Sequence, residues 1–301
     1  MIPAYNEEAV LPAFYARLTA ALEGLPCEGE ILFVDDGSTD GSAAILEELA
    51  RRDPRVRVIV FTRNFGHQAA LCAGLDHCRG DAAVMIDADL QDPPELIKDF
   101  HRAWKDGCDV VFGERKRVRE GVVKRVVYHL FYRLLRSLAN IEIPLDSGDF
   151  SLVDRRVIDG LKALPERTRF LRGLRSWIGY RQRGIEYVRE ARSLGESKYS
   201  LGKLLKLGFD GIASFSTVPL RLALYMGTMV SAGAGLLILI LVYLRLSRSF
   251  DLPGWTSLAV IVLFLGGIQL ITVGIVGEYV ARIYEEVKQR PLYLVARKRG
   301  F

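Results

Sequence analysis

With 301 residues, half of them hydrophobic, and a positive mean hydropathy beside 26% charged residues, the chain cannot be one ordinary soluble domain, so its apolar residues must be unevenly distributed. The net charge of +5 gathers beside two long uncharged stretches, which favours attraction to anionic lipid headgroups over nucleic acid. Cys27, Cys72, Cys78 and Cys108, like the four histidines, show no close metal-type pairing; they read as buried or idle thiols and argue against a disulfide or zinc framework.

The N-terminus "MIPAYNEE" has neither a basic start nor an apolar core, so no cleavable signal peptide is expected and residues 1–200 should stay in the cytoplasm. A full first strand would need apolar residues before "IPAYNEE"; either this strand is truncated or the true start lies upstream. Next come four apolar, β-branched runs, "EILFVDD", "VRVIVFT", "DAAVMIDAD" and "CDVVFGER", alternating with helical stretches at Ser42–Arg52, Gln68–His77 and Pro93–Trp104. Such alternation predicts a mostly parallel sheet covered on both faces. Ligands of these sheets bind beyond the carboxyl ends of the strands, and there the chain places "YNEE", "DDGSTDGS", "RNFGHQ", "DADLQDPPE" and "GERKR".

Neither a three-glycine dinucleotide fingerprint nor a Gly-Lys-Ser/Thr phosphate loop is present. Instead, Asp87 and Asp89 straddle one residue at a strand end, where they would repel each other unless a cation or a proton relieved them. Hard divalent ions such as Mg²⁺ take oxygen ligands and share them with substrate phosphates, so the pair suits a diphosphate held through a metal. Asp92, Pro93 and Glu95 read as the cap and first turn of the following helix.

"VVKRVVYHLFYRLLRSL" carries a helical apolar stripe interleaved with Lys124, Arg125, Arg133 and Arg136, and predicts a helix over 119–139. It fits either an ordinary helix packed on the sheet or one lying in the membrane interface. A second basic amphipathic segment occupies 201–221, ahead of predicted transmembrane helices at 222–244 and 255–277. Each uncharged stretch reaches the roughly 20 residues needed to cross a bilayer. Lysines and arginines flank the pair, which puts both ends in the cytoplasm, the 245–254 loop outside and 278–301 as a cytoplasmic tail.

Taken together, "IPAYNEE", "VDDGSTDGS", "RNFGHQAALCAG", "DADLQDPPE", "DSGDFSLVDRRV", "ESKYSLGKLLKL", "GIASFSTVPLRL" and "GEYVARIYEEVKQRPLY" resemble the family 2 glycosyltransferases that load sugar onto polyprenyl phosphate, over nearly the whole chain. Bactoprenol glucosyltransferases are the nearer kind and dolichyl-phosphate mannose synthases the more distant. The resemblance implies a GT-A-like α/β nucleotide-sugar domain followed by two transmembrane helices, in a multi-pass protein of the bacterial inner (plasma) membrane. Its implied partners are UDP-glucose or another nucleoside-diphosphate sugar, undecaprenyl phosphate, the bilayer and further copies of the chain. Pro3, Tyr5, Glu7 and Asp36 match nucleoside-pocket positions; Asp87, Asp89 and Gln91 match the group that holds Mg²⁺ or Mn²⁺. Arg115 matches an arginine at the acceptor phosphate, with Arg133 and Lys198 as further candidates. Asp89, Arg115, Arg133 and Lys198 are thus the expected catalytic set.

The chemistry argues the same way without the family. A lipid phosphate is already ionised at neutral pH and needs cations to hold it, not a base to activate it. Asp149 in "SGDF" is therefore expected to be structural or to touch the sugar. Rival readings are a processive polysaccharide synthase, whose Gln-x-x-Arg-Trp motif the chain lacks, a non-catalytic nucleotide-binding membrane scaffold, and a mannose synthase type of activity. A small transporter is disfavoured because neither span holds an intramembrane charge.

Overall fold

The computed structural model describes residues 1–115, 147–167, 169–189, 218–247 and 254–301. They fall into two units, one holding the described parts of 1–204 with 290–301, the other the described parts of 205–289. The predicted helix at 119–139, most of the 201–221 segment, most of the 245–254 loop, Arg133 and Lys198 lie outside the described residues.

The first unit opens with the predicted alternation. Strands β1 (Ile2–Ala4), β2 (Ile31–Asp35) and β3 (Val56–Phe61) run parallel, with Ile2 opposite Phe33 and Phe33 opposite Val58. Between them lie α1 (Leu11–Glu23) and α2 (Ser42–Arg52), and α3 (His67–His77) follows β3. Leu11, Phe14 and Leu18 form the inward stripe of α1, while α3 buries Ala70 to Leu75 nearly all round. Gly74 lets β1 approach α3, because a Cβ there would meet the Met1 side chain at 3.1 Å.

The other strands are β4 (Ala82–Met85), β5 (Val110–Arg115), β6 (Ser147–Asp154), β7 (Gln182–Tyr187) and β8 (Val295–Arg299). A 3₁₀ turn, Pro94–Leu96, leads into α4 (Ile97–Lys105), and α5 (Arg155–Ala163) and α6 (Leu171–Trp177) follow β6. Two four-stranded sheets result, ordered β1-β2-β3-β8 and β4-β6-β5-β7. The expected mostly parallel sheet is corrected here to two mixed sheets: β8 pairs antiparallel to β3, and β6 antiparallel to both β4 and β5, while β5 and β7 are parallel. The strands that break the pattern come after the alternating section, so no helical crossover forces them to be parallel.

Phe14, Phe33, Phe100 and Phe150 are at most 2% exposed and sit in one core, with the Phe100 and Phe150 rings 4.8 Å apart. Each contributes roughly 1.5–3 kcal/mol by leaving water. Cys72, Cys78 and Cys108 are buried thiols and Cys27 is exposed; all four are free.

The second unit contains α7 (Val218–Ser247) and α8 (Trp255–Lys288), which pack on each other. Both leave large apolar side chains bare, Leu239 at 68% and Leu270 at 75% exposure among them, a surface that suits hydrocarbon better than water. Among the described residues one segment, Phe264–Lys288, is long and apolar enough to cross a membrane, and Ala223–Leu237 is a shorter apolar stretch.

Candidate active site

Two polar loops are clasped together at the carboxyl ends of β1 and β2. Asn6, in the left-handed region, accepts a hydrogen bond from the Thr39 amide at 2.8 Å and donates its own amide to Ser38 at 3.0 Å. The Glu7 amide donates to Ser42 Oγ at 2.8 Å, and Glu8 accepts from the Gly41 amide at 2.6 Å. Thus "YNEE" and "DGSTDGS" brace each other. The result is a cleft of about 270 Å³ whose first wall is Pro3, Tyr5 and Glu7.

The loop after β3 supplies the second wall. Asp36, 3% exposed, accepts from the amides of Phe65 at 2.7 Å and Gly66 at 2.9 Å. Burial raises its pKa above the ordinary value, while those two amides pull it down. Each oxygen keeps room for a further donor. Gly37, at φ 68°, must be glycine: a Cβ would lie 2.4 Å from the Arg63 carbonyl carbon. Asn64, Gly66 and His67 complete this wall.

The floor comes from the turn after β4. Asp87 and Asp89 both line the cleft. Leu90 adopts φ 58°, an unfavourable conformation for a bulky residue, and the Gln91 amide then donates to Asp89 Oδ1 at 3.1 Å. Asp87 and Asp89 thus face one cleft, and the charge of Asp89 acts on Asp87; Gln91 is not among the residues that line the cleft. Burial, followed by the charges of Asp149, Asp92 and Asp89, pushes the Asp87 carboxyl up to about 6, with His67 opposing the shift. Among the described residues no three His, Cys, Asp or Glu side chains converge on a metal position. Two crowded carboxylates nevertheless fit a hard divalent ion, which commonly takes one or two carboxylates and completes its shell with water and substrate phosphate. Asp87 and Asp89 would hold it.

His67, given little weight in the sequence, is a wall of the cleft. Its Nε2 lies 3.6 Å from Asp87 and 3.4 Å from Asp149. Burial would lower the imidazole pKa, but these carboxylates outweigh it and raise it. Asp149 itself accepts from Gln68 at 3.3 Å and pairs with Arg172 at 3.7 Å. Burial works against its ionised form, yet His67, Arg172 and Arg175 hold it down at about 2.

Behind Asp89 is a second charged knot. Asp92, 1% exposed, accepts from the Tyr187 hydroxyl and pairs with Arg115 at 3.8 Å and Arg189 at 3.6 Å. Arg189 also reaches Asp89 at 3.9 Å, and Arg115 donates to the Tyr187 hydroxyl at 3.3 Å. The expected capping role of Asp92 is corrected: the 3₁₀ turn is capped at Pro93 without a side-chain bond, and Asp92 is the counter-ion of two arginines. Glu95, expected in the first turn, lies in that 3₁₀ turn and pairs with Arg17 at 2.9 Å. Arg115 is therefore not in the wall of the cleft but is tied through Asp92 and Arg189 to its acidic floor. Another cavity, about 230 Å³, lies between the starts of β2 and β4. It is at the wrong strand ends for a ligand site of this kind of sheet.

The family profile described as "Glycosyl transferase family 2" matches residues 1–161. A Bacillus subtilis protein named "Uncharacterized glycosyltransferase YkcC" is 48% identical over 301 residues, covering 100% of this chain and 93% of its own length. A "Bactoprenol glucosyl transferase" from Shigella phage SfII is 44% identical over 301 residues, covering 98% and 96%. A Synechocystis protein named "Uncharacterized glycosyltransferase sll0501" is 43% identical over 297 residues, covering 98% and 93%.

Proposed function

Because the chain belongs to glycosyl transferase family 2, and thus is a glycosyltransferase with a GT-A-like α/β domain, we propose that it transfers a hexose, with inversion, from a nucleoside-diphosphate sugar to polyprenyl phosphate. UDP-glucose and undecaprenyl phosphate are the proposed substrates, a reading supported by the 44% identity to a bactoprenol glucosyl transferase. The observation that carries the proposal is the meeting of Pro3, Tyr5, Glu7 and Asp36 with Asp87 and Asp89 in one cleft at the strand ends.

In this reading the nucleoside lies against Pro3, Tyr5 and Glu7, with Asp36 accepting from its base. A divalent ion held by Asp87 and Asp89 would act as a Lewis acid toward the diphosphate, with Gln91 supporting Asp89 through its backbone amide. His67 closes the cleft wall beside Asp87, and Arg189 and Arg115 extend a cationic path from the acidic floor. Arg115, Arg133 and Lys198 hold the acceptor phosphate. A phosphate oxygen of the lipid forms the new bond to the sugar anomeric carbon as the old bond to the β-phosphate oxygen breaks, and the nucleoside diphosphate leaves. No proton need be removed from the nucleophile. Asp149 is a poor base in any case, since a carboxyl held at about 2 gains little by taking a proton near neutral pH.

The exposed apolar faces of α7 and α8 support a two-span hairpin at 222–244 and 255–277 that tethers a cytoplasmic domain to the inner membrane, with the basic, apolar sequence at 119–139 guiding the lipid. Purified protein, a panel of sugar nucleotides and undecaprenyl phosphate give the test. The proposal expects one hexosyl product by mass with release of nucleoside diphosphate; release only to water, or none with any donor, would contradict it.

A further inference from the structure

The segment following α8 returns to the catalytic sheet. Val295 to Arg299 add as β8 to the free edge of β3, and the Thr62 amide donates to the Leu294 carbonyl at 3.0 Å. Far more is fixed than an edge strand needs. Arg297 pairs with Glu47 at 3.2 Å, Lys298 meets His77 at 2.7 Å, and the Phe301 ring lies 3.8 Å under the Arg57 guanidinium. These contacts anchor the distal part of the strap, and none of their partners lines the cleft.

Tyr293, at the proximal end, does something different. Its ring stacks on Phe61 with centroids 4.9 Å apart and planes 13° apart, and its hydroxyl donates to Asp76 at 2.8 Å. Phe61 in turn meets Phe65 edge to face at 5.7 Å. The Phe65 and Gly66 amides are the two donors that fix Asp36, and Gly66 and His67 line the cleft. Asp76 is at the far end of α3, the helix that starts at His67. One tyrosine thus braces the loop that enters α3 and the last turn of the same helix.

The geometry points to Tyr293 as a positioning residue for the nucleotide site: the strap that follows the membrane helix α8 sets the affinity of the catalytic cleft through the Tyr293–Phe61–Phe65 ring series and the Asp36 clamp. This rests on the reading of the cleft as a nucleoside-diphosphate site. The strap's dense distal anchoring predicts that the brace can be removed without detaching the strand.

The test uses the full chain in detergent or nanodiscs, with calorimetric titration of UDP and Mn²⁺ and amide exchange at Phe65 and Gly66. Losing an aromatic stack should weaken binding by about 5-fold in Tyr293→Ala, raise KM more than it lowers kcat, and speed exchange at those two amides. Tyr293→Phe, which keeps the stack, should remain within about 2-fold of the parent chain. Arg297→Ala, which loosens the distal strap at Glu47 on α2 and leaves the end of α3 untouched, should leave UDP affinity unchanged. Parental affinity in Tyr293→Ala, or equal weakening by Arg297→Ala, would overturn the inference alone. Should Tyr293→Ala fail to fold, Tyr293→Leu decides in its place by the same affinity and exchange readings. No UDP binding by the parent chain would instead overturn the nucleotide reading of the cleft, and this inference with it.

Discussion

Replacing Asp87 with asparagine should destroy activity and yet stabilise the metal-free fold. Raising a carboxyl from 3.8 to about 6 corresponds to roughly 3 kcal/mol against the ionised form at neutral pH. With the Asp87 side chain 32% exposed, solvent screening leaves about 1–2 kcal/mol. For a folding unit of this size that is a rise in melting temperature of about 2–6 °C. The sign follows from linkage. Below the unfolded pKa both states are protonated and the substitution gains nothing; as pH rises from 3.8 toward 6 the wild-type native state holds on to its proton and the penalty builds; above 6 it is complete. Melting curves of wild type and Asp87→Asn, recorded with chelator from pH 4.5 to 8, should therefore diverge with rising pH and level off above 6. Wild type should also gain stability from Mn²⁺ with UDP, and the variant should not. A variant that melts at or below wild type at pH 7.5, or a difference that does not shrink in acid, would refute the view that Asp87 is a strained carboxylate kept for a cation.

Asp149→Asn should retain metal and nucleotide binding and lose no more than about 10-fold in kcat/KM, because it removes a support of His67 and not a base; a loss above about 1,000-fold with binding intact, measured by steady-state kinetics and calorimetry, would restore a base. Tyr187→Phe should cost about 1–3 kcal/mol by denaturant titration, since Asp92 is buried and loses its hydroxyl donor. Asp92→Ala should cost more, about 3–5 kcal/mol in the same titration, because two arginines then lose a buried counter-ion.

The alternation of "EILFVDD", "VRVIVFT" and "DAAVMIDAD" with helical stretches was readable because apolar runs end sharply in polar clusters, and strands β2, β3 and β4 form inside those runs. Three strands were not readable. β7 is "QRGIEY" and β8 is "VARKR", mostly polar strands whose pairing depends on where the fold leaves an edge. β6 lay in a motif noticed for its chemistry and enters the middle of a sheet antiparallel to both neighbours. The site shows the same division. Asp87 and Asp89 announce themselves by repulsion at one-residue spacing, whereas His67 acquires meaning only when Asp149, far along the chain, is brought to 3.4 Å. Asp92 divides the same way, since "DPPE" carries a local capping pattern and the side chains that override it, Tyr187 and Arg189, come from the end of β7 and beyond it.

Calorimetric titration of UDP into wild type and the Asp87→Ala/Asp89→Ala double variant, each with Mn²⁺ and with chelator, bears most directly on the acid pair. Tight binding should occur in one arm only, wild type with Mn²⁺, with glycolipid synthesis following the same pattern. Equal binding in all four arms would mean that the two aspartates hold no ion for the diphosphate.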